Sequence, residues 1–333
     1  MKKIVAILCA LTMVFALAAC GSSASTAPAA TAAPAAEPAA EGASYSVGIC
    51  QLVQHPALDA ATQGFKDALT AALGDSVTFT EQNASGDSAT CATICNQFVS
   101  DEVDLIMANA TPALLAAQAA TGSIPILGTS VTDYASALGI DDWSGATGIN
   151  ISGTSDGVPA DQLAGVVNEL FPDAKNVGLL YCSGEPNSLF QADEIRPVLE
   201  GMGYTVTDYT FADSNDVAAV TNTACDENDV LYIPTDNTAA SNAELINNVA
   251  LNKQVPIVAG EEGLCSGCGV ATLSISYYDL GTVTGQMAAQ ILSEGADVSA
   301  MEIQYAPFAK KYNAANCEAL GIEVPAAYEA IEG

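Results

Sequence analysis

One passage of the chain occurs twice. Residues 103–112 (VDLIMANATP) and 230–241 (VLYIPTDNTAAS) each carry a short apolar run that stops at small polar side chains, where a helical pattern begins. A second short apolar run follows each, at 124–128 (IPILG) and 255–260 (VPIVAG). The larger units around them also correspond. VGI at 47–49 and VGL at 177–179 lie in apolar strands, 45–53 and 176–181; a helix follows at 57–73 or 187–202, then a strand at 77–81 or 204–209. In the first helix Leu58, Ala61, Phe65, Ala68, Leu69 and Ala72 recur at helical spacing. Further helices are expected at 87–100, 112–120, 159–170, 238–252 and 278–294. A duplicated half is the economical explanation. Strands alternating with helices demand parallel sheets with helices on both faces. Ligands of such sheets bind at the carboxyl ends of the strands, where helix starts offer free backbone N–H groups.

Composition allows two lobes of this kind. Of 333 residues half are apolar and 14% charged, enough to bury a sizeable core. The net charge of −31, from 39 acidic and 8 basic residues, excludes nucleic acid as a partner because nothing would neutralise its phosphates. A positively charged ligand group is compatible with that field. Residues 1–19, with Lys2 and Lys3 before an apolar run, read as a secretory signal too short to be a comfortable membrane span. The run ends in LAACG at 17–21, which resembles a bacterial lipobox and implies cleavage before Cys20 and lipid on its sulfur. Acyl chains at about 0.8 kcal/mol per methylene would anchor the protein on the extracytoplasmic face of the cell membrane, the only membrane contact expected. Residues 20–43 then form a flexible Ala/Pro/Ser/Thr tether.

Eight cysteines remain beyond Cys9 and Cys20: Cys50, Cys91, Cys95, Cys182, Cys225, Cys265, Cys268 and Cys317. Outside the cytoplasm many of them are expected to pair, although Cys50 and Cys182, in or ending strands, also suit small buried hydrophobes. Neither Cys91-x-x-x-Cys95 nor Cys265-x-x-Cys268 has histidines nearby for zinc, so no metal and no cofactor is expected. Residues 153–157 (GTSDG) fit G-x-S-x-G, a pattern that needs a histidine base, and His55 is the chain's one histidine. The expected protein is not an enzyme.

Residues 147–151 and 273–276 lie where the chain should pass between lobes, with a third passage near 302–307. That predicts a first lobe of 44–149 plus 277–303 and a second of 150–276 plus 304–333. A hinge between two ligand-bearing sheet edges makes a closing clamp. HPALD (55–59), ATPA (110–113), SVTD (130–133), GEPNS (184–188), PTDNT (234–238) and YYDLG (277–281) together carry a family resemblance. The chain resembles the ABC-transporter substrate-binding family that includes tryptophan- and tyrosine-binding lipoproteins. The resemblance implies an α/β fold of type 1 periplasmic binding proteins: two Rossmann-like lobes, parallel sheets flanked by helices, and a multi-crossing hinge. It also implies an aromatic amino acid as solute, and an ABC permease with its ATPase as partners. A monomer is expected. A sensory receptor of the same fold, or a nucleoside or sugar receptor, remains an alternative.

A zwitterion needs acceptors for its ammonium and donors for its carboxylate. The one arginine, Arg196, lies within a helix, so the carboxylate falls to hydroxyls and helix starts at Thr111, Ser130, Thr132, Asn187 and Ser188. Several of these could equally be ordinary helix caps. Asp236, in the loop of Thr235, Asp236 and Asn237, is the first choice for the ammonium, with Asp133 and Glu185 behind it. His55 either reaches over the cleft or shapes the turn before Pro56, and Tyr277 and Tyr278 either stack on the solute or pack at the hinge.

Overall fold

The computed structural model of the chain describes residues 44–331, so the expected signal peptide, Cys20 and the expected tether lie outside the described residues. The first sheet is built from β1 (Tyr45–Gln51), β2 (Val77–Asn83), β3 (Leu105–Asn109), β4 (Ile126–Val131) and β5 (Ile151–Ser155). The second begins with β6 (Asn176–Cys182), β7 (Thr205–Phe211), β8 (Val230–Ile233), β9 (Ile257–Ala259) and β10 (Ala271–Ser274). In space the first five strands run β5-β4-β3-β1-β2 and the second five β10-β9-β8-β6-β7, the same order twice. Late in the chain β11 (Gln304–Tyr305) joins β5 in parallel, while β12 (Ala309–Tyr312) joins β10 antiparallel and is followed by β13 (Glu329–Ala330). The duplicated wording of the sequence is thus a duplicated sheet.

Burial follows strand position. β3, β4 and β8 are buried at every residue, because helices cover both of their faces. The edge strands β2 and β7 alternate with solvent. In the first lobe, Phe98 and Leu114 from the helices Ser88–Ser100 and Thr111–Ala120 pack on one face of the sheet. Phe65, Leu69 and Met287 from Pro56–Leu73 and Tyr277–Glu294 pack on the other. The last two helices touch backbone to backbone: a Cβ on Gly281 would lie 1.9 Å from the Ala61 carbonyl oxygen, and one on Gly64 2.1 Å from that of Tyr278. Only glycine fits at either place.

Three expectations change. Residues 151–155 and 304–305, assigned above to the second lobe, pair within the first sheet, so the first crossing follows Ser155. The last of the TGINI residues, Ile151, opens a strand because it is fully buried between β4 and the rest of the core. The helix expected at 238–252 is two, Asn237–Ser241 and Ala243–Lys253. Asn242 parts them, its side-chain amide donating to the Thr238 carbonyl and competing with the helix backbone. The eight cysteines are all free and buried, and no disulfide is found among the described residues. Cys50, Cys91 and Cys95 fill one apolar core and Cys182, Cys225, Cys265 and Cys268 another, each acting as a small hydrophobe.

Candidate ligand-binding cleft

The carboxyl ends of the two sheets face each other. On the first lobe the backbone is strained at two adjacent strand ends: Ala110 has φ 90° and ψ 155°, and Ser130 has φ 55°. Such conformations cost non-glycine residues about 1–3 kcal/mol each and gather at functional sites. They set out Thr111 and Ser130, whose buried hydroxyls have no hydrogen-bond partner. Thr111 opens its helix without capping it, since no side-chain cap bond is made there.

The second lobe meets this surface with a network of acids and amides. Asp236, after β8, accepts through Oδ2 from the Cys182 N–H (2.6 Å) and the Ser188 hydroxyl (2.7 Å), and through Oδ1 from the Ala239 N–H (2.7 Å). Glu185 accepts from the Asn237 N–H (3.0 Å) and side-chain amide (2.6 Å), and from the Thr238 N–H and hydroxyl (both 2.8 Å). Both carboxylates are therefore already engaged by donors of the protein itself. Asp133 caps its own short helix through the Ser136 N–H at 2.6 Å. Asn187 donates to the Thr235 carbonyl (2.8 Å) and leaves its buried Oδ1 without a partner.

Two side-chain bonds span the lobes. His55 Nε2 meets Asn237 Oδ1 at 3.2 Å, and Gln191 donates through Nε2 to the Thr132 hydroxyl at 3.1 Å while accepting from the Thr235 N–H at 3.0 Å. The helix Thr111–Ala120 packs against Pro186–Gly201 of the second lobe. His55 thus does cross the cleft, and burial lowers its pKa. Its Nε2 is committed to Asn237, while Ser155 donates to the Thr132 carbonyl at 2.9 Å, so the G-x-S-x-G serine and the histidine are not hydrogen-bonded to each other.

Between the lobes lies an acid that the sequence reading passed over. Asp156, the first residue after β5, is buried; its Oδ2 accepts from the Tyr277 hydroxyl at 2.8 Å and its Oδ1 has no partner. With His55, Thr235, Asp236, Asn237 and Glu261 it encloses a cavity of about 10 Å³. Burial raises the Asp156 pKa, opposed by the Tyr277 and Thr132 hydroxyls. Burial and the Glu185 charge push Asp236 up to about 8, and burial pushes Glu261 up to about 7 against the Gly263 and Leu264 N–H groups that it caps. An acid at a strand end was the available signal for Asp156, hidden because 151–155 was not read as a strand. Tyr277 holds Asp156, whereas Tyr278 lies outside, 44% exposed and donating to Asp67. Arg196 pairs with Asp208 of β7 and takes no part in the cleft. Among the described residues no cluster suited to a metal ion is found, and no helix is long and apolar enough to cross a membrane.

Comparison with known proteins places this arrangement. A family model described as ABC transporter substrate binding protein matches residues 46–327. A tyrosine-binding protein of Clostridioides difficile is 38% identical over 256 residues, 76% of this chain and 74% of that protein. The solved structure of an ABC domain from Streptococcus pneumoniae in complex with L-Trp, 30% identical, superposes with a TM-score of 0.81 over 85% of this chain and 97% of that one. The ligand-free, open structure of a substrate-binding protein with adhesive properties from Clostridium difficile is 35% identical, yet its TM-score is 0.65 over 86% and 99%. The better superposition on the ligand-bound relative, despite lower identity, fits the lobe-to-lobe bonds of His55 and Gln191: the cleft is closed. Matched along nearly all of its described length, with two duplicated lobes shut on a buried polar site, the chain belongs to the ABC transporter substrate-binding protein family.

Proposed function

We propose that the protein is the extracytoplasmic receptor of an ABC importer and that it binds an aromatic amino acid, as a zwitterion, between its lobes. Asp156 Oδ1 carries this reading: the residue is buried, and this oxygen has no hydrogen-bond partner within bonding distance. An unpaired buried carboxylate oxygen is costly and invites a cation. The solute's ammonium supplies one, and the free Thr111 and Ser130 hydroxyls are donors suited to its carboxylate. The ligands named for the two relatives, tyrosine and L-Trp, point to the same class. A cavity of about 10 Å³ has room for about one water, so the solute enters with the lobes apart. Closure then presents a shape that the permease and its ATPase can select, because the solute favours it by touching both lobes. Lipid on Cys20 would hold the receptor, as a monomer, at the outer face of the membrane.

The test is calorimetric titration of the mature protein, refolded to strip bound solute, against the twenty amino acids and a set of sugars and nucleosides. Low-micromolar binding confined to aromatic amino acids is expected, about −8 kcal/mol. Asp156→Asn is expected to weaken it about tenfold to a hundredfold, the range for a charge-assisted hydrogen bond. Binding of a sugar or nucleoside alone would overturn the reading.

A further inference from the structure

A second cavity of about 370 Å³ adjoins the polar one, in the lower part of the range of about 300–1,000 Å³ usual for small-molecule sites. Its lining is largely apolar, with Val158, Leu163, Phe190 and Phe308, beside the acids Asp133 and Glu194. One buried side chain there is out of keeping. Tyr232 of β8 is wholly buried, lines this cavity, and its hydroxyl has no hydrogen-bond partner. A phenylalanine would fill the same core without that unmet hydroxyl, whose burial disfavours folding.

Little separates the two cavities. Asp156 lines the polar one and Gly157 the apolar one, and Gln191 closes the gap, held by Thr132 on the apolar side and by the Thr235 N–H on the polar side. Both of its bonds end on single polar groups of the cleft, which an incoming solute can take over. If Gln191 swings aside, the ammonium site at Asp156 and the apolar pocket become one space. Its polar end then suits an amino acid's charges and its apolar end suits a ring, with Tyr232 in the lining.

We infer that the apolar pocket takes the solute's side chain, that Gln191 is the partition which moves to admit it, and that the Tyr232 hydroxyl selects an aromatic ring with a polar edge, a phenol or an indole N–H, over an unsubstituted phenyl ring. This rests on the amino-acid reading above. A site with a buried polar group discriminates against a ligand that leaves the group unpaired. The experiment compares the mature protein with its Tyr232→Phe variant, titrating each with L-tyrosine, L-tryptophan and L-phenylalanine. The unaltered protein is expected to bind tyrosine or tryptophan about tenfold more tightly than phenylalanine. Tyr232→Phe removes that margin while phenylalanine affinity holds, and it melts no lower than the parent because an unpaired hydroxyl has gone. Ala160→Trp, which fills the pocket from the first residue of the helix Ala160–Leu170, abolishes binding of all three. Equal loss for the three ligands in Tyr232→Phe, an unchanged margin, or retained binding in Ala160→Trp overturns the inference while leaving the amino-acid reading in place. Failure of the unaltered protein to bind any aromatic amino acid overturns both.

Discussion

Asp236 and Asp156 are both buried acids at the carboxyl ends of strands, and their partners separate their roles. Asp236 joins β6 to β8 through the Cys182 N–H and caps the helix Asn237–Ser241 through the Ala239 N–H. Removing its side chain leaves those N–H groups buried without partners and the Ser188 hydroxyl without an acceptor. Asp236→Ala is therefore expected to lower the urea-unfolding free energy by about 1–3 kcal/mol. Affinity in the molecules that remain folded should change less than in Asp156→Asn. A variant as stable as the parent that has lost binding would return the ammonium to Asp236. The sequence could show that PTDNT holds an acid next to a helix start, but capping and ligand binding use the same residue types. Only the hydrogen-bond partners distinguish them.

At the scale of elements, the pairing of Pro56–Leu73 with Tyr277–Glu294 shows how residues far apart in the chain place the site. The first of these helices starts at HPALD and the second at YYDLG, so their contact brings His55 and Tyr277 to the same cavity. Its closeness depends on Gly64 and Gly281. Gly281→Ala puts a methyl where the Ala61 carbonyl oxygen stands, and the backbones must separate. A loss of about 1–3 kcal/mol is expected from such overpacking, with weaker solute binding because Tyr277 and His55 shift apart. Thermal unfolding and titration together check this, and an unchanged melting temperature would count against the helix contact. Strands β1–β4 and β6–β9 and most of the long helices were legible in hydrophobic runs and helical spacing, whereas β5 and β10 were read only as passages between lobes. The helix Val217–Glu227 was not legible, because Val217, Thr221, Ala224 and Cys225 form a face with little hydrophobic contrast to the rest of the segment.

At the scale of the whole molecule, closure brings the acids of both lobes together in one place. Asp156, Asp236 and Glu261 share the cavity, with Glu185 behind Asp236 and His55 opposite, and no lysine or arginine lines it. The raised pKa values of Glu261, about 7, and Asp236, about 8, mean that the folded protein holds protons which the unfolded chain releases near pH 4. A raised folded-state pKa contributes stability that is fully present below the unfolded value and is lost as pH rises through the folded one. Without solute, the urea midpoint is expected to fall from about pH 5 to about pH 9, and Glu261→Gln should flatten the fall. A midpoint that rises over this window would show that the acids are ionised and paired in another way. Bound solute should reduce the dependence, because its ammonium favours ionised Asp156.

The sequence alone determined the α/β class, the doubling of the sheet and the strand ends that carry the site, because these follow from local patterns of period and polarity. It also brought His55, Thr111, Ser130, Asn187 and Asp236 forward as candidates. The tertiary structure decided which acid is free and which is bound, through partners as distant in the chain as Asp156 and Tyr277. It decided that β5 belongs to the first lobe, since strand pairing is a property of the neighbour and not of the strand. It also set Tyr232 against an apolar pocket with no partner for its hydroxyl, a result of lobe packing that no local pattern within 230–233 encodes.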